Sequence, residues 1–300
     1  MVDIDALKCA MTRYASDCRF NDLPQPTPVP GLSLVRARGT TELTHTDYEP
    51  IFCLVLQGAK QTHLGDQRFT FGPLETLIVT LDLPAAARVV QASPHLPYLA
   101  LALRLDVKLL HELRETLGET LSVERLPAPA PRSPALAVGL AGLDLVDAMA
   151  RLFSLRDRAS DIAVLAPLIT REIHYRLLLG DHGGVLRSLV HPDGPAGRIA
   201  QAIAEIRSSH DRLLPVADLA SLSGMSASAF HVHFRDLTGT TPLQYQKSLR
   251  FMEAQRQLRD GSQSVASIAF AIGYESPTQF SREYRRKFGH PPRDERPLAV

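Results

Sequence analysis

The sequence predicts an α+β protein in two parts: an N-terminal antiparallel β-barrel with accessory helices, followed by an all-α domain. Between residues 32 and 106, several short β-rich runs are separated by glycine turns, a spacing typical of small barrels and sandwiches. From Pro195 to the end, every periodic segment has helical spacing. The last hundred residues also contain an internal repeat, which indicates that the helical domain is built from one unit used twice.

Composition places the chain among ordinary globular proteins. It has 300 residues, 45% of them hydrophobic, with 33 basic and 32 acidic side chains. That is enough for two domains of ordinary size and excludes a disordered polyelectrolyte. The sequence contains no apolar run of membrane-spanning length and no secretion signal, and its three cysteines are irregularly spaced. We therefore expect a soluble, cytoplasmic protein with no membrane partner.

The N-terminal part begins with a helical arm over the first twenty residues. The proline-rich stretch 23–30 must then be extended, because proline fixes its own backbone and restricts the residue before it. The predicted strands are 29–37, 51–57, 61–64, 68–71, 76–81 and 98–105. Barrels of this kind often hold one small ligand.

A second proline-rich break, 127–134, precedes two stretches with helical spacing, 136–155 and 162–179. The second of them has a continuous apolar face. Its members are Ile162, Leu165, Ile169, Ile173 and Leu177. This face either completes the barrel core or pairs with a second subunit, and the sequence leaves both open. The expected domains are 1–180, including helices in 135–180, a glycine-rich linker 181–197, and 198–300.

The repeat in the C-terminal part has eight matched positions. The first four are 49 residues apart and the last four are 50 apart. The pairs are Val216/Val265, Leu219/Ile268, Ala220/Ala269, Gly224/Gly273, Phe230/Phe280, Phe234/Tyr284, Gly239/Gly289 and Pro242/Pro292.

Each copy has the features of a helix-turn-helix. A small alanine lets a second helix approach, and a glycine four residues later permits the positive φ of a tight turn. A serine, Ser226 or Ser276, follows as the N-cap of a helix that buries aromatic residues at i and i+4. In such motifs the second helix enters the DNA major groove. The predicted joining helix, 242–259, is ~27 Å long and would hold the two recognition helices about one DNA turn, ~34 Å, apart.

The residues of these repeats resemble a known family. VADLASLSGMSASAF and above all IAFAIGYESPTQFSREYRRKFG are similar to the DNA-binding domain of AraC/XylS-type transcriptional regulators, over residues 195–296. FCLVLQGAK, LGDQRFTFGP, TLDLP and PLITREIHYRLLLG resemble the N-terminal regulatory domain of one branch of that family. This resemblance implies that the barrel is cupin-like and is followed by helices. AraC-type proteins commonly have arginine where this chain has Val232, and a valine there can only touch a thymine methyl or a sugar.

The faces of the two recognition helices follow from their buried aromatic residues, at ~100° per residue. The predicted DNA-binding residues are Ser228, His231, Arg235, Thr278, Gln279, Arg282, Arg285 and Arg286. Arginine can bind guanine through two hydrogen bonds, and glutamine can do the same for adenine. For Arg282 we favour base contact over contact with phosphate alone, which is the alternative. Arg285, Arg286 and Lys287 lie later in the helix, where phosphate or solvent is the expected neighbour.

The candidate ligand-binding residues lie in the apolar strand 51–56: Phe52, Cys53 and Leu54. Cys53 has two interpretations, a buried structural thiol or a thiol that senses an electrophile such as an aldehyde. The resemblance permits the second, because some regulators of this branch are associated with a response to aldehydes. His45, Glu49 and His63 form the only metal-like cluster, but the cupin metal signature is absent. We expect no metal, no cofactor and no catalytic residues.

The function that the sequence predicts is a DNA-binding transcriptional regulator whose barrel senses a small, apolar or aldehyde-like molecule, and not an enzyme. The expected partners are double-stranded DNA at a promoter or operator, a small-molecule effector, RNA polymerase if the protein is an activator, and a second copy in a homodimer. Two alternatives stay open. One is a ligand-independent DNA-binding protein whose barrel only dimerises, and the other is a metal-dependent cupin enzyme fused to a DNA-binding domain.

Overall fold

The computed structural model describes residues 3–17, 24–118, 135–180, 183–191, 194–209, 212 and 214–295. The proline-rich break predicted at 127–134 lies outside the described residues, as do Leu23 and Cys18. The chain divides into two compact units: the first runs to Gly197 and also includes Asp236–Gly239, and the second comprises Arg198–Arg235 and the chain from Thr240 onward. The first contains both β-sheets and the second is helical.

Two antiparallel sheets form the first unit, which is the β-rich domain that the sequence predicts. The strands are β1 (Gln25–Pro26), β2 (Leu32–Ala37), β3 (Thr44–Tyr48), β4 (Ile51–Gln57), β5 (Ala59–Leu64), β6 (Gln67–Phe71), β7 (Glu75–Val79), β8 (Leu83–Gln91), β9 (Tyr98–Arg104) and β10 (Leu136–Leu140). Six of them form one sheet in the order β1-β2-β9-β4-β7-β10. The other four form the second sheet in the order β3-β8-β5-β6.

Helices cover the outer face of the six-stranded sheet and bury its apolar side chains. They are α1 (Ile4–Asp17), α2 (Val107–Leu117), α3 (Leu143–Ser154), α4 (Ala159–Leu179) and α5 (Gly184–Val190). Alternate residues of β4, Phe52 and Leu54 among them, join Met149, Phe153 and Ile173 in one core cluster with these helices. Burial of these apolar side chains stabilises the packing of the sheet against the helices.

The prediction of helix over residues 136–140 was wrong. These residues form β10, which pairs antiparallel with β7, from Leu136 opposite Val79 to Leu140 opposite Glu75. Backbone hydrogen bonds to an existing strand outweigh the local apolar spacing, and α3 begins only at Leu143. The strands β3 and β8 were not predicted, because β3 is a polar run and β8 is rich in alanine.

The stretch expected as a linker differs from the prediction as well. Residues 184–190 form α5, whose Val185, Leu186 and Val190 are buried in the same core. The glycines bend the chain before this short helix. A further helix, α6 (Pro195–Ser208), begins before the predicted domain boundary.

The long helix α4 bears on both interpretations of its apolar face. Ile173 and Leu177 are buried in the core, as the first interpretation expects. In the first half of the helix, Val164, Leu165 and Leu168 are exposed. The first half also contributes Ala166 to the core, with Ile162 and Ile169 packed against it, so most of the predicted face completes the core. Pairing of α4 with a second subunit stays a prediction.

In the second unit, α6 is followed by five more α-helices among the described residues. They are α7 (Val216–Leu222), α8 (Ala227–Thr238), α9 (Pro242–Asp260), α10 (Val265–Ala271) and α11 (Pro277–Phe288). In the part of the chain that the structure describes, no helix combines the length and apolarity needed to cross a membrane.

Candidate nucleic-acid interface

Both repeats fold into the same helix-turn-helix geometry. The turns contain Gly224 with φ 61° and Gly273 with φ 83°, the left-handed region that glycine enters without strain. In each turn the amide after the glycine donates to the carbonyl of the matched, buried alanine. The bonds are Met225 to Ala220 (2.9 Å) and Tyr274 to Ala269 (3.0 Å).

The predicted N-caps are confirmed. The Ser226 hydroxyl accepts from the backbone N–H of Ala229 at 3.2 Å, at the start of α8. The Ser276 hydroxyl accepts from the backbone N–H of Gln279 at 3.4 Å, at the start of α11. These bonds satisfy amides that a helix start leaves unpaired, so each recognition helix begins at a fixed residue.

The aromatic residues predicted to face inward do so in both repeats. Phe230 and Phe234 are fully buried with ring centroids 5.5 Å apart, and Phe280 and Tyr284 are fully buried at 5.4 Å. Two buried residues one helical turn apart fix which side of a helix faces the core. They therefore also fix which side faces away from it.

All eight predicted DNA-binding residues are exposed. On α8 they are Ser228, His231 and Arg235; on α11 they are Thr278, Gln279, Arg282, Arg285 and Arg286. Val232 is also exposed, so a valine stands on the outer face of α8. The structure thus brings the predicted residues onto two outward surfaces, one on each recognition helix.

The two surfaces differ in charge. Arg282, Arg285 and Arg286 make α11 strongly basic, and within the described chain no acidic side chain is paired with any of them. Only one arginine, Arg235, lies on α8. Unpaired arginines keep their donors available for phosphate or base edges.

Lys287 does not join the exposed cations of α11. Its ammonium group donates to the Ser248 hydroxyl at 3.1 Å and lies 5.9 Å from the centre of the Phe251 ring. Burial, with a smaller contribution from the charge of Lys247, lowers the pKa of Lys287 to about 8. The expectation that this lysine meets phosphate or solvent was wrong, because it packs against α9.

A polar network that the sequence did not reveal holds α11 against α9. Glu283 pairs with Lys247 at 2.6 Å and accepts from the Tyr274 hydroxyl at 2.8 Å. Burial alone would raise the pKa of Glu283, but these partners outweigh it and lower that pKa. The carboxylate therefore stays charged and fixes the first turns of the second recognition helix.

The joining helix α9 has the predicted start and nearly the predicted end. The Thr241 hydroxyl caps it by accepting from the Gln244 amide, and Gly261 ends it with φ 70°. Its 19 residues give a length of ~28 Å. Phe251 in its second half is the centre of the aromatic core of the second repeat.

In the first unit, strand β4 separates the three candidate ligand-binding residues. Phe52 and Leu54 point into the core under the helices, whereas Cys53 points toward the four-stranded sheet. Successive side chains of a strand alternate between faces, so the three cannot line one surface. Of the three, only Cys53 faces the interior between the sheets.

The surroundings of Cys53 are polar for a barrel interior. The Tyr98 hydroxyl is buried beside the thiol and, among the described residues, has no nitrogen or oxygen hydrogen-bond partner. Lys60 approaches from β5 and lies 5.6 Å from the centre of the Tyr48 ring. Burial raises the pKa of the Cys53 thiol more than Lys60 and Tyr98 lower it, so the thiol is protonated near neutral pH.

The metal-like residues have other partners. Glu49 pairs with Arg104 at 3.4 Å, and His63 hydrogen-bonds to Gln61 at 2.9 Å. No group of three or more histidine, cysteine, aspartate or glutamate side chains in the described residues is arranged to hold a metal ion.

Two family models match the chain, and together they cover both units. Residues 28–185 match the AraC-type transcriptional regulator N-terminus, and residues 219–297 match a helix-turn-helix domain. The first match alone covers more than half of the chain.

Known relatives match this chain over part of its length. An AraC-like transcription regulator of Streptomyces lividans is 37% identical over 98 residues, 33% of this chain and 32% of that protein. The RCS-specific HTH-type transcriptional activator RclR of Escherichia coli is 32% identical over 108 residues, 36% of each chain. The matches thus span about a third of the length of these relatives.

One solved structure has the same fold over most of both chains. ToxT of Vibrio cholerae, in a crystal structure with a bound unsaturated fatty acid, superposes with a TM-score of 0.52 at 12% identity. The superposition covers 92% of this chain and 95% of ToxT.

Proposed function

The chain belongs to the AraC-type transcriptional regulators, with an N-terminal regulatory domain and a helix-turn-helix DNA-binding domain. We propose a separate function for each of its two units. The helical unit binds a specific operator through the outward faces of α8 and α11. The sheet unit senses a small apolar or aldehyde-like molecule, and its occupancy shifts the population of DNA-binding arrangements. The protein acts in the cytoplasm as a homodimer and contacts RNA polymerase where it activates.

The observation that carries the DNA-binding part is the unpaired basic face of α11. Arg282 is exposed, lies opposite the buried Phe280 and Tyr284, and has Gln279 one turn before it on the same helix. Arginine and glutamine are the side chains best suited to read guanine and adenine in the major groove. We propose that α11 reads bases, whereas α8, with Val232 on its outer face, contributes fewer base contacts.

Arg282→Ala should weaken binding to the preferred DNA sequence by about 1–3 kcal/mol, a loss of roughly 5- to 150-fold, and relax one base position. The preferred sequence is first selected from a random DNA pool with the unchanged protein. Affinities for selected and random duplexes are then measured at several salt concentrations by fluorescence anisotropy.

The matched control is Arg256→Ala. Arg256 is an exposed arginine of the same unit, but Glu253 already neutralises it through an ion pair of 2.6 Å. We expect its removal to change affinity little. An equal loss on selected and random DNA for Arg282→Ala would show that Arg282 only holds phosphate.

The sensing part of the proposal is supported by the interior around Cys53. Within the described chain, the buried Tyr98 hydroxyl has only the Cys53 thiol, a weak hydrogen-bonding group, beside it, and Lys60 adds a polar group on the facing strand. Buried polar groups without partners are costly, so a ligand that accepts from Tyr98 would be stabilised there. A fatty acid is bound in ToxT, and it belongs to the class of small apolar molecules that we propose.

The hypothesis that Cys53 is the sensing group predicts that Cys53→Ser abolishes the response to an aldehyde such as glyoxal while the protein remains folded. The response is measured as a change in DNA affinity and in the melting temperature of the full chain. Cys9→Ser is the matched control, because Cys9 is an exposed thiol outside the barrel interior. If Cys53→Ser responds as the unchanged protein does, Cys53 is a structural core thiol.

A further inference from the structure

A cleft on the first unit, separate from the interior around Cys53, is lined by cationic side chains. It lies between α1, the ends of β2 and β4, and the loop that joins β8 to β9, and its volume is about 760 Å³. Lys8 and Arg13 reach it from α1, Arg36 reaches it from β2, and Arg38 reaches it from the position just after β2. The volume is that of a site for a metabolite-sized ligand.

The side-chain pattern of β2 explains how two arginines come to this position. Leu32 and Leu34 lie on the strand face that packs under the helices, in the core of the unit. Side chains alternate along a strand, so Arg36 continues the same face toward its end, and Arg38 follows directly after the strand. The apolar face therefore changes into a cationic one where β2 leaves the core.

The helix α1 supplies the opposite wall. Leu7, Met11 and Ala15 pack into the core, at spacings of four residues along one side of the helix. The neighbouring side of α1, with Lys8 and Arg13, lines the cleft. The amphipathic helix thus covers the sheet and at the same time presents basic side chains to the cleft that Arg36 and Arg38 also line.

The charges in the cleft do not balance. Asp5 is the only acidic side chain among the described lining residues, and it pairs with Lys8 at 3.1 Å. Within the described chain, no acidic side chain is paired with Arg13 or Arg38. Arg36 also lines the cleft, but it is only 7% exposed and already has an interaction of its own, so the excess positive charge is that of Arg13 and Arg38. A concave surface with this excess of cations attracts anions.

The loop wall is held in place. The Gln57 amide group donates to the Pro97 carbonyl at 2.8 Å. The Ser93 hydroxyl accepts from the Leu96 amide at 3.1 Å, which closes the turn. Because these bonds fix the loop against the strand ends, the cleft is formed before any ligand arrives, which reduces the entropy cost of binding.

We propose that this cleft binds a small polyanion, a molecule that carries phosphate or several carboxylate groups. Arginine is the side chain that pairs best with both groups, through two parallel hydrogen bonds. The site is separate from the interior around Cys53, and it stands whether or not the proposed sensing at Cys53 is correct.

The first test measures binding of pyrophosphate and of citrate to the full-length protein by calorimetry, at fixed ionic strength. The two probes distinguish a phosphate site from a carboxylate site. We expect millimolar or tighter binding of at least one, and a loss of tenfold or more in the double variant Arg13→Ala/Arg38→Ala. Lys108→Ala, which removes an exposed cation outside the cleft, should bind as the unchanged protein does. Circular dichroism confirms that each variant is folded.

The second test locates the probe. Cys9 is exposed and lines the cleft, whereas Cys53 is buried. In a Cys18→Ser protein, the bound probe should slow maleimide labelling of Cys9 at least threefold, and the double arginine variant should lose this protection. Absence of binding by both probes, or equal binding by the double variant, would overturn the proposal. So would a double variant that loses only affinity for random DNA, because the cleft would then be a DNA contact.

Discussion

Replacing Phe251 by alanine should destabilise the helical unit by about 3–5 kcal/mol, the usual cost of removing a buried phenylalanine from a core. Phe251 is 3% exposed and lies at the centre of the second repeat. The centroid of its ring is 6.0 to 6.2 Å from those of Tyr274, Phe280, Tyr284 and Phe288. Its removal leaves a cavity under the second recognition helix, so DNA binding should be lost with the fold.

Hydrogen exchange by mass spectrometry localises this effect in the full chain. Peptides from residues 240–295 should lose protection in Phe251→Ala, and peptides from the sheet unit should keep it. The control is Phe270→Ala on α10, because that ring is 57% exposed and its loss removes little buried surface. Unchanged protection in 240–295 would show that the aromatic cluster does not hold the repeat together.

The helical unit could be predicted in detail from the sequence because its determinants are local. The glycine turns, the serine caps and the aromatic pairs each act within one helical turn of the chain. Their repetition at 49 and 50 residues removed the ambiguity of a single pattern. The outward faces of α8 and α11 followed from the buried pairs, Phe230 with Phe234 and Phe280 with Tyr284.

The parts that sequence reasoning missed depend on distant partners. Residues 136–140 form a strand only because β7 offers an unpaired edge, about sixty residues away in the chain. Lys287 packs against Ser248 and Phe251 through the crossing of α11 and α9, which helical spacing within α11 does not specify. The cationic cleft likewise combines α1, β2 and a loop that the sequence separates.

The carboxylate of Glu295 is the second determinant of the helical unit with a large expected effect. Its side chain is 5% exposed, and it accepts from Tyr284 at 2.5 Å, from Arg259 at 2.8 Å and from Gln255 at 3.3 Å. It therefore joins the end of the described chain to α9 and to the buried face of α11. Burial alone would raise the pKa of Glu295, but these donors outweigh it and lower that pKa.

Glu295→Gln should cost about 2–4 kcal/mol of unfolding free energy at neutral pH, because it removes a charged acceptor and leaves buried donors unsatisfied. Asp294→Asn is the matched control, since Asp294 is exposed and its ion pair with Arg293 is long at 3.6 Å and also exposed. The unfolding free energies of both variants are measured by urea unfolding of the full chain, with hydrogen exchange of peptides from residues 240–295 as the probe.

The pH dependence of this difference tests the charge itself. A carboxyl group with a lowered pKa in the folded state stabilises that state above the pKa it has in the unfolded chain, about 4.3 for glutamate. This contribution is lost as the pH falls through the lower folded pKa. The gap between the unchanged protein and Glu295→Gln should therefore be present above about pH 5 and should shrink below about pH 4. Because the Nε2 atom of His290 lies 3.6 Å from the same carboxylate, the test compares the gap at pH 5 with the gap at lower pH. Glu283, whose pKa is also lowered, contributes equally to both proteins and cancels. A gap that stays constant down to pH 3 would mean that Glu295 acts through the shape of its hydrogen bonds and not through its charge.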